Sequence, residues 1–469
     1  MQTRWVHALV VVGVFSLAAG AQAATTNFSS FTALPSSVAA GSLPEAAPFQ
    51  FGNPAWTQTS IADRATQLAA GQPNPGTWDM IDANRGGADA GRYLFTVFET
   101  YNAGVQRTDR WTGSTVTLWT PSVPSGAYGF DGVRWTRFGT LITAEEDWGP
   151  QPQPYGRLFE LTNPTTAAAG SGNLVHRNAV ARVAHEGLAF DKDNNLYYVD
   201  ELNGGSIYRY SSATPGIGST YFSGGTNSVL RVGDGNTDGA TGSAGWVSFT
   251  DAAGIGLPGA VSITDPNGIT SVDGRASTDL PAFKGTNYER PEDLEIQTLA
   301  NGAQTLYIAT TGSHQVYSLN LSTLQMQVFA SRMTPDAATG LPVGSAFSNP
   351  DNLAIDADGN IYIVEDQPGG STHIWFATDA DRDGVAESIG RWATMSTVGA
   401  EPSGLYFDVF DPNIAFVNIQ HPQSGVDRMI QISAVPESET YAMMLVGIGL
   451  VALRLRRKMR RSARGLLLR

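Results

Sequence analysis

One local pattern recurs along the chain and constrains its fold more than any other feature. An acidic residue stands two positions before an aliphatic one. A short apolar run follows, then a turn with Asp, Asn or Gly, then a second apolar run that often ends in an acid. Asp131-Gly132-Val133 leads to Leu141-Ile142-Thr143-Ala144-Glu145, and Glu186-Gly187-Leu188 to Leu196-Tyr197-Tyr198-Val199-Asp200. Glu292-Asp293-Leu294 leads to Leu306-Tyr307-Ile308-Ala309-Thr310, and Asp351-Asn352-Leu353 to Ile361-Tyr362-Ile363-Val364-Glu365. Ser403-Gly404-Leu405 leads to Ile414-Ala415-Phe416-Val417-Asn418. The step from first acid to last is 14 in three units: 131 to 145, 186 to 200 and 351 to 365. The units begin at 131, 186, 292, 351 and 403, so the steps are 55, 106, 59 and 52. Since 106 is close to twice 53, a degenerate unit is expected near 239, within Gly224 to Gly256. Six units of about 54 residues predict an all-β, six-bladed β-propeller. Ile207–Tyr210 and Val316–Leu319 supply outer strands, while Tyr93–Phe98 and Val116–Trp119 close the ring. Residues 24 to about 90 read as irregular wrapping.

Composition agrees with that architecture. Gly at 52 and Pro at 25 of 469 residues favour many short strands over long helices. With no Cys, the chain has neither disulfides nor thiolate–metal sites nor a cysteine nucleophile. The net charge of −14 disfavours a nucleic-acid partner. No G-x-x-x-x-G-K-S/T loop, H-E-x-x-H helix or G-x-S-x-G elbow occurs.

The two ends read as targeting segments. Residues 1–23 have Arg4 in a positive n-region, an apolar run from Ala8 to Ala18 and an Ala21-Gln22-Ala23 cleavage site, the pattern of a secretory signal. Residues 24–434 are the exported domain. In residues 435–469, Val435-Pro436-Glu437 precedes thirteen uncharged residues, 441–453, and then a run of basic ones from Arg454. That tail resembles the PEP-CTERM sorting signal of Gram-negative bacteria, with Ser438 in place of the usual second proline. The resemblance implies an exosortase-type processing protease and transient inner-membrane anchoring through 441–453. Expected destinations are the periplasm, cell surface or extracellular matrix. The ends carry nine of the 29 basic and two of the 43 acidic residues, so the domain between them carries −21 and attracts cations.

A propeller places the same position of each blade around one channel. Asp131, Glu186, Glu292 and Asp351 then face the axis, with Glu145, Asp200 and Glu365 at the second position and Glu146, Glu201 and Asp366 directly after. So many carboxylates repel unless cations sit among them, and oxygen-only ligands suit a hard ion such as calcium or magnesium. The leading ligand candidates are Glu145, Glu186, Glu292 and Asp351. Asp200, Glu201, Glu365, Asp366 and Glu401 follow, and Glu146 either binds metal or braces Glu145. Turn and cap roles are the alternative for each acid. Arg290 either clamps a phosphate oxygen or orients Glu292. His185 and His421 are candidate substrate or proton-transfer groups, against a purely structural role. A separate D-x-D-x-D-G loop, Asp379, Asp381 and Asp383 with Glu387, reads as a hairpin tip that either caps itself or holds a surface calcium. Tyr197, Tyr307 and Tyr362 are expected in the core.

These segments resemble the PhoX family of bacterial alkaline phosphatases. The matching stretches are Thr143-Ala144-Glu145-Glu146, Ala184-His185-Glu186-Gly187, Arg290-Pro291-Glu292-Asp293, Asn349-Pro350-Asp351-Asn352 and Gln420-His421-Pro422, with Gly399-Ala400-Glu401 before the last. The resemblance implies a six-bladed propeller with axial calcium and iron that hydrolyses small phosphomonoesters. Two departures stand out. Ala144 occupies the position of a family cysteine that ligates iron, which implies calcium and argues against iron. Asp200-Glu201 reverses the family's order. A calcium-dependent phosphomonoesterase acting as a monomer is one reading. A non-catalytic calcium-binding propeller, serving as a surface or matrix binding module, is the other.

Overall fold

The computed structural model describes residues 25–122, 127–149, 154–366 and 372–434. The proposed signal and tail lie outside these residues. Among the described residues, no helix is long and apolar enough to cross a membrane.

Six antiparallel meanders follow one another along the chain. Their innermost strands are Trp78–Ala83, Phe130–Trp135, Leu188–Phe190, Pro291–Thr298, Pro350–Ile355 and Glu401–Phe407. Each lies against the innermost strand of the next blade, and the sixth lies against the first, so the ring is closed. Closure is also covalently asymmetric. The outer strand of the sixth blade, Thr57–Asp63, comes from the N-terminal side of the chain and pairs with Arg428–Ser433. Phe49–Phe51 adds a further edge strand to the fifth blade, against Ser388–Met395. The stretch 24–90, expected to be irregular wrapping, thus supplies three working strands.

The second strand of each blade is buried on both faces and reads as a near-continuous apolar run. Its alternate residues enter different interfaces. Leu141 packs between the first two blades, and Ile142 between the second and third. Tyr198 joins that second cluster, while Tyr197 faces the fourth blade. Among the described residues there are six such apolar clusters, one for each interface of a six-membered ring. Tyr307 and Tyr362 are core residues, as expected. Truncating a side chain such as the fully buried Trp375 to Ala would cost roughly 3–5 kcal/mol.

The expected degenerate blade near 239 is not there. Gly225–Val232 and Gly242–Ser248 are outer strands of the third blade, and the latter also pairs with Gln325–Ser331 of the fourth. Residues 249–287 form an excursion containing the hairpin Ser262–Thr264 with Thr270–Val272 and the short helix Gly274–Thr278. The 106-residue step is one blade plus this insertion. The sixth repeat is the blade at 78–119, which the expected strands Tyr93–Phe98 and Val116–Trp119 only partly marked.

Candidate metal centre

A β-bulge repeated from blade to blade aims the acids. In the first blade Trp78 pairs Phe98 but Ile81 pairs Thr96, so Asp79-Met80 contains one extra residue. The same shift occurs between Phe130 and Val133, between Pro291 and Leu294, and between Pro350 and Leu353. An extra residue on one strand kinks it and redirects its side chain. Asp79, Asp131, Glu292 and Asp351 all sit on such bulges, and Glu186 stands two residues before the strand Leu188–Phe190. The bulge also brings neighbouring inner strands close. A Cβ on Gly132 would lie 2.1 Å from the Glu186 carbonyl oxygen, which is why only glycine fits there.

A second residue per blade is pinned beside the first. The N–H groups of Glu99, Glu146, Glu201, Thr311 and Asp366 donate to the carbonyls of Thr77, Gly129, Ala184, Arg290 and Asn349, at 2.9–3.0 Å. In each case the acceptor stands two residues before the inner-strand acid. The sixth blade contributes Glu401 and His421 at the corresponding strand ends.

Two tight groups result. Asp79, Glu99 and Asp131 each bring a carboxylate oxygen within 4.8 Å of the others, and so do Glu186, Glu201 and Glu292. Asp131 and Glu186 face each other across the second and third blades, and burial, then the Asp131 carboxylate, pushes Glu186 up. Glu146 contacts both Glu99 and Glu201, and Glu401 contacts Asp366. The inner-strand acids are the buried floor; Glu99, Glu146 and Asp366 are partly exposed at the mouth. Arg290 is the cation among them. It reaches Glu201 at 2.7 Å, Glu292 at 3.1 Å and Asp366 at 3.6 Å. Its guanidinium stacks 5.1 Å from the centre of the Trp148 ring, whose indole N–H donates to Glu146 (2.5 Å) and Glu201 (2.7 Å). Arg275, on the excursion helix, holds the intervening Asp147 carbonyl at 3.0 Å.

The electrostatics are those of an ion-binding site. Two carboxylates 4.8 Å apart repel by about 3.5 kcal/mol even at an effective dielectric of 20. Burial first, and neighbouring carboxylates second, push Glu99, Glu186 and Glu292 well above the usual carboxylate range. Asp131, Glu146 and Asp351 are pushed up with the same leading cause. Burial raises Glu401 to about 11. Asp131 Oδ1 and Glu401 Oε2 are buried without any hydrogen-bond partner. Oxygen donors with unused lone pairs, crowded beyond what one arginine neutralises, fit hard divalent cations.

The expected site residues divide sharply. Glu146, Glu186, Glu201, Glu292, Asp351, Asp366 and Glu401 are brought together with Arg290. Glu145, a leading candidate, is not among them: Arg157 grips it at 2.6 and 2.8 Å, and the N–H groups of Tyr128 and Arg157 occupy it further. Glu365 is likewise spent on His373, Trp375 and the Ser348 N–H. Asp200 accepts from the Ala184 N–H, and burial raises it to about 7. The physical reason is one residue of register. The strand-end acid faces back into the blade; the residue after it leaves the strand toward the axis. His185 is fully buried against Tyr198, and burial lowers it to about 3, so it stays neutral and away from solvent. His421 stands at the mouth, 44% exposed, with Nε2 3.5 Å from Glu401. Ala144 is packed in the apolar cluster between the second and third blades. Of the D-x-D-x-D-G loop, Asp379, Asp381 and Glu387 converge, whereas Asp383 caps the Val385 N–H.

Sequence reasoning missed Asp79, Glu99, Trp148 and Thr311. In the first blade the spacing from Asp79 to Glu99 is 20 residues, against 15 from Asp131 to Glu146, because a longer turn joins its first two strands. A search for acids followed two residues later by an aliphatic would have found Asp79-Met80-Ile81.

A family model described as "Alkaline phosphatase PhoX" matches residues 106–423. No curated protein matches the chain. Among solved structures, PhoX from Pseudomonas fluorescens, in complex with vanadate, a transition state analogue, matches with TM-score 0.56 at 15% identity. That match covers 86% of this chain and 98% of that one. A putative gluconolactonase matches at 13% identity with TM-score 0.41, covering 82% of this chain and 93% of that one. The PQQ-bound aldose sugar dehydrogenase from Streptomyces coelicolor matches at 12% identity with TM-score 0.41, covering 82% and 99%.

Proposed function

From the premise that this chain belongs to the alkaline phosphatase PhoX family, we propose that it is an exported, calcium-dependent phosphomonoesterase whose centre is the axial carboxylate ring. One observation carries the reading. Asp79, Glu99, Asp131, Glu146, Glu186, Glu201, Glu292, Asp351, Asp366 and Glu401 crowd one end of the ring around Arg290, the one cation among them in the described residues.

The floor acids Asp79, Asp131, Glu186, Glu292 and Asp351 would hold the cations. Bound divalent ions neutralise phosphoryl oxygens and make an attacking oxygen available at moderate pH. Arg290 orients the phosphoryl group: it is 30% exposed, and its NH1 edge, 3.6 Å from Asp366, faces the mouth. Glu201 and Trp148 keep that guanidinium flat and fixed. His421, at the mouth, is placed to return a proton to the departing alcohol oxygen. Glu146 and Asp366 admit only a ligand that brings or meets positive charge.

The chain's lack of cysteine, with Ala144 sealed in the core, favours an all-oxygen calcium centre over iron. The same fact motivates the second reading, a calcium-binding propeller without turnover. Export through residues 1–23 and processing of the PEP-CTERM-like tail rest on the sequence alone, as does the monomeric state. The test is p-nitrophenyl phosphate hydrolysis by the stripped protein, reloaded with calcium alone and with calcium plus iron. Turnover with calcium alone supports the enzyme reading. Bound calcium without turnover under either condition leaves the binding module.

A further inference from the structure

At the opposite strand ends of the fifth blade from the axial Asp366, a hairpin joins His373–Thr378 to Ser388–Met395. Its tip carries Asp379, Asp381 and Glu387, each offering one carboxylate oxygen within 4.8 Å of the other two. That span is about twice a calcium–oxygen distance of roughly 2.4 Å, so one ion reaches all three. Asp381 and Glu387 are exposed, but Asp379 is only 3% exposed. Its Oδ2 accepts a long bond from the Gly384 N–H (3.3 Å), and its Oδ1 is buried with no donor at all.

Within the turn the Ala380 N–H donates to Glu387 (3.0 Å) and the Asp383 N–H to Asp381 (3.2 Å), and neither reaches Asp379 Oδ1. The Tyr307 hydroxyl lies beside Asp379 but donates to Gln297 (3.2 Å). Arg382, inside the turn, donates to the carbonyls of Gly359 and Asp358 instead of to the acids. Two side chains of the fourth blade grip the turn's own carbonyls: Ser318 on Gly384 (2.6 Å) and Gln327 on Asp383 (3.1 Å). The turn is therefore built and held, yet it leaves a buried carboxylate oxygen unsatisfied beside two further negative groups. Such an oxygen is costly to bury without a partner.

We propose that Asp379, Asp381 and Glu387 form a calcium site, separate from the axial centre, that locks the fifth-blade hairpin onto the fourth blade. The donors are all carboxylate oxygen, which selects a hard ion. The exposed side leaves room for the waters and irregular coordination that calcium accepts and magnesium resists.

The test uses the full chain with calcium chloride, and magnesium chloride as control. Bound ions are counted by elemental analysis after equilibrium dialysis, and melting is followed with and without calcium. The double variant Asp381→Asn, Glu387→Gln changes only exposed groups. It is expected to bind one calcium fewer per chain and to lose part of the calcium-induced rise in Tm. Its p-nitrophenyl phosphate hydrolysis at saturating calcium should stay within twofold of the parent. Asp379→Asn should remove the same single ion. An unchanged calcium count in both variants overturns the site. Loss of hydrolysis together with the ion overturns its separateness from the axis. A parent that never turns over, but whose ion count still falls by one in the variants, leaves this site standing while sinking the phosphatase reading.

Discussion

Exchanging the roles of two adjacent glutamates is the sharpest consequence of the bulged register. Glu145 is fully buried in a two-armed pair with Arg157, itself only 4% exposed. Glu145→Ala takes away that two-armed partner, while Asp265 stays 3.7 Å from the guanidinium. Breaking a buried pair on one side costs about 3–5 kcal/mol. Unfolding entropy near 2.1 cal/mol/K per residue, over about 400 ordered residues, converts that loss to a fall in Tm of about 4–6 °C. Glu146→Gln, one residue on, should do the opposite. It removes one of the mouth's negative charges, so the stripped protein should melt no lower than the parent, while metal affinity and turnover fall. Differential scanning calorimetry on the stripped and calcium-loaded proteins, beside p-nitrophenyl phosphate kinetics, separates the two. The reasoning is refuted if Glu145→Ala abolishes ion binding at unchanged Tm, or if Glu146→Gln melts the protein and leaves activity intact.

Other consequences follow from the same geometry. Arg290→Lys keeps the charge but loses the fork, and turnover should fall roughly 10²- to 10³-fold with the ion count preserved, as read by steady-state kinetics and elemental analysis. Gly132→Ala places a Cβ 2.1 Å from a neighbouring backbone oxygen; thermal melting should show a loss of several degrees or failure to fold. The stripped protein should be less stable at pH 8 than at pH 5. Burial raises Asp200 to about 7 and Glu401 to about 11, so the folded chain binds more protons than the unfolded one above about pH 4, and stability falls as pH rises toward those values. Added calcium should reverse that trend, because it takes the protons' place on the axial acids.

Blade number was readable because five of the six inner strands both bury apolar residues and turn an acid to the axis, which imprints an acid-x-aliphatic triplet that Ser403-Gly404-Leu405 echoes in the sixth. The count of six was right, but one member was misplaced. The triplet at Asp79 is followed by a nine-residue turn, Asn84 to Arg92, which broke the regular step. The insertion at 249–287 then imitated a missing repeat. Choosing between Glu145 and Glu146, or Glu365 and Asp366, needed the bulge itself. A one-residue shift of register decides which of two neighbouring acids faces the channel, and two carboxylates side by side hide it. The closing strand Thr57–Asp63 carries little signal of its own, since an outer strand needs only an edge to pair with and half of its side chains face water.

The most direct test of the central claim is the position of the ions. Crystals of the protein grown with calcium and orthovanadate, measured for anomalous scattering, would show it. Strong peaks are expected among Asp79, Asp131, Glu186 and Glu292, with vanadate against Arg290. Peaks beside Glu145, Asp200 or Glu365 instead, or an axis without ions and without vanadate, would contradict the account.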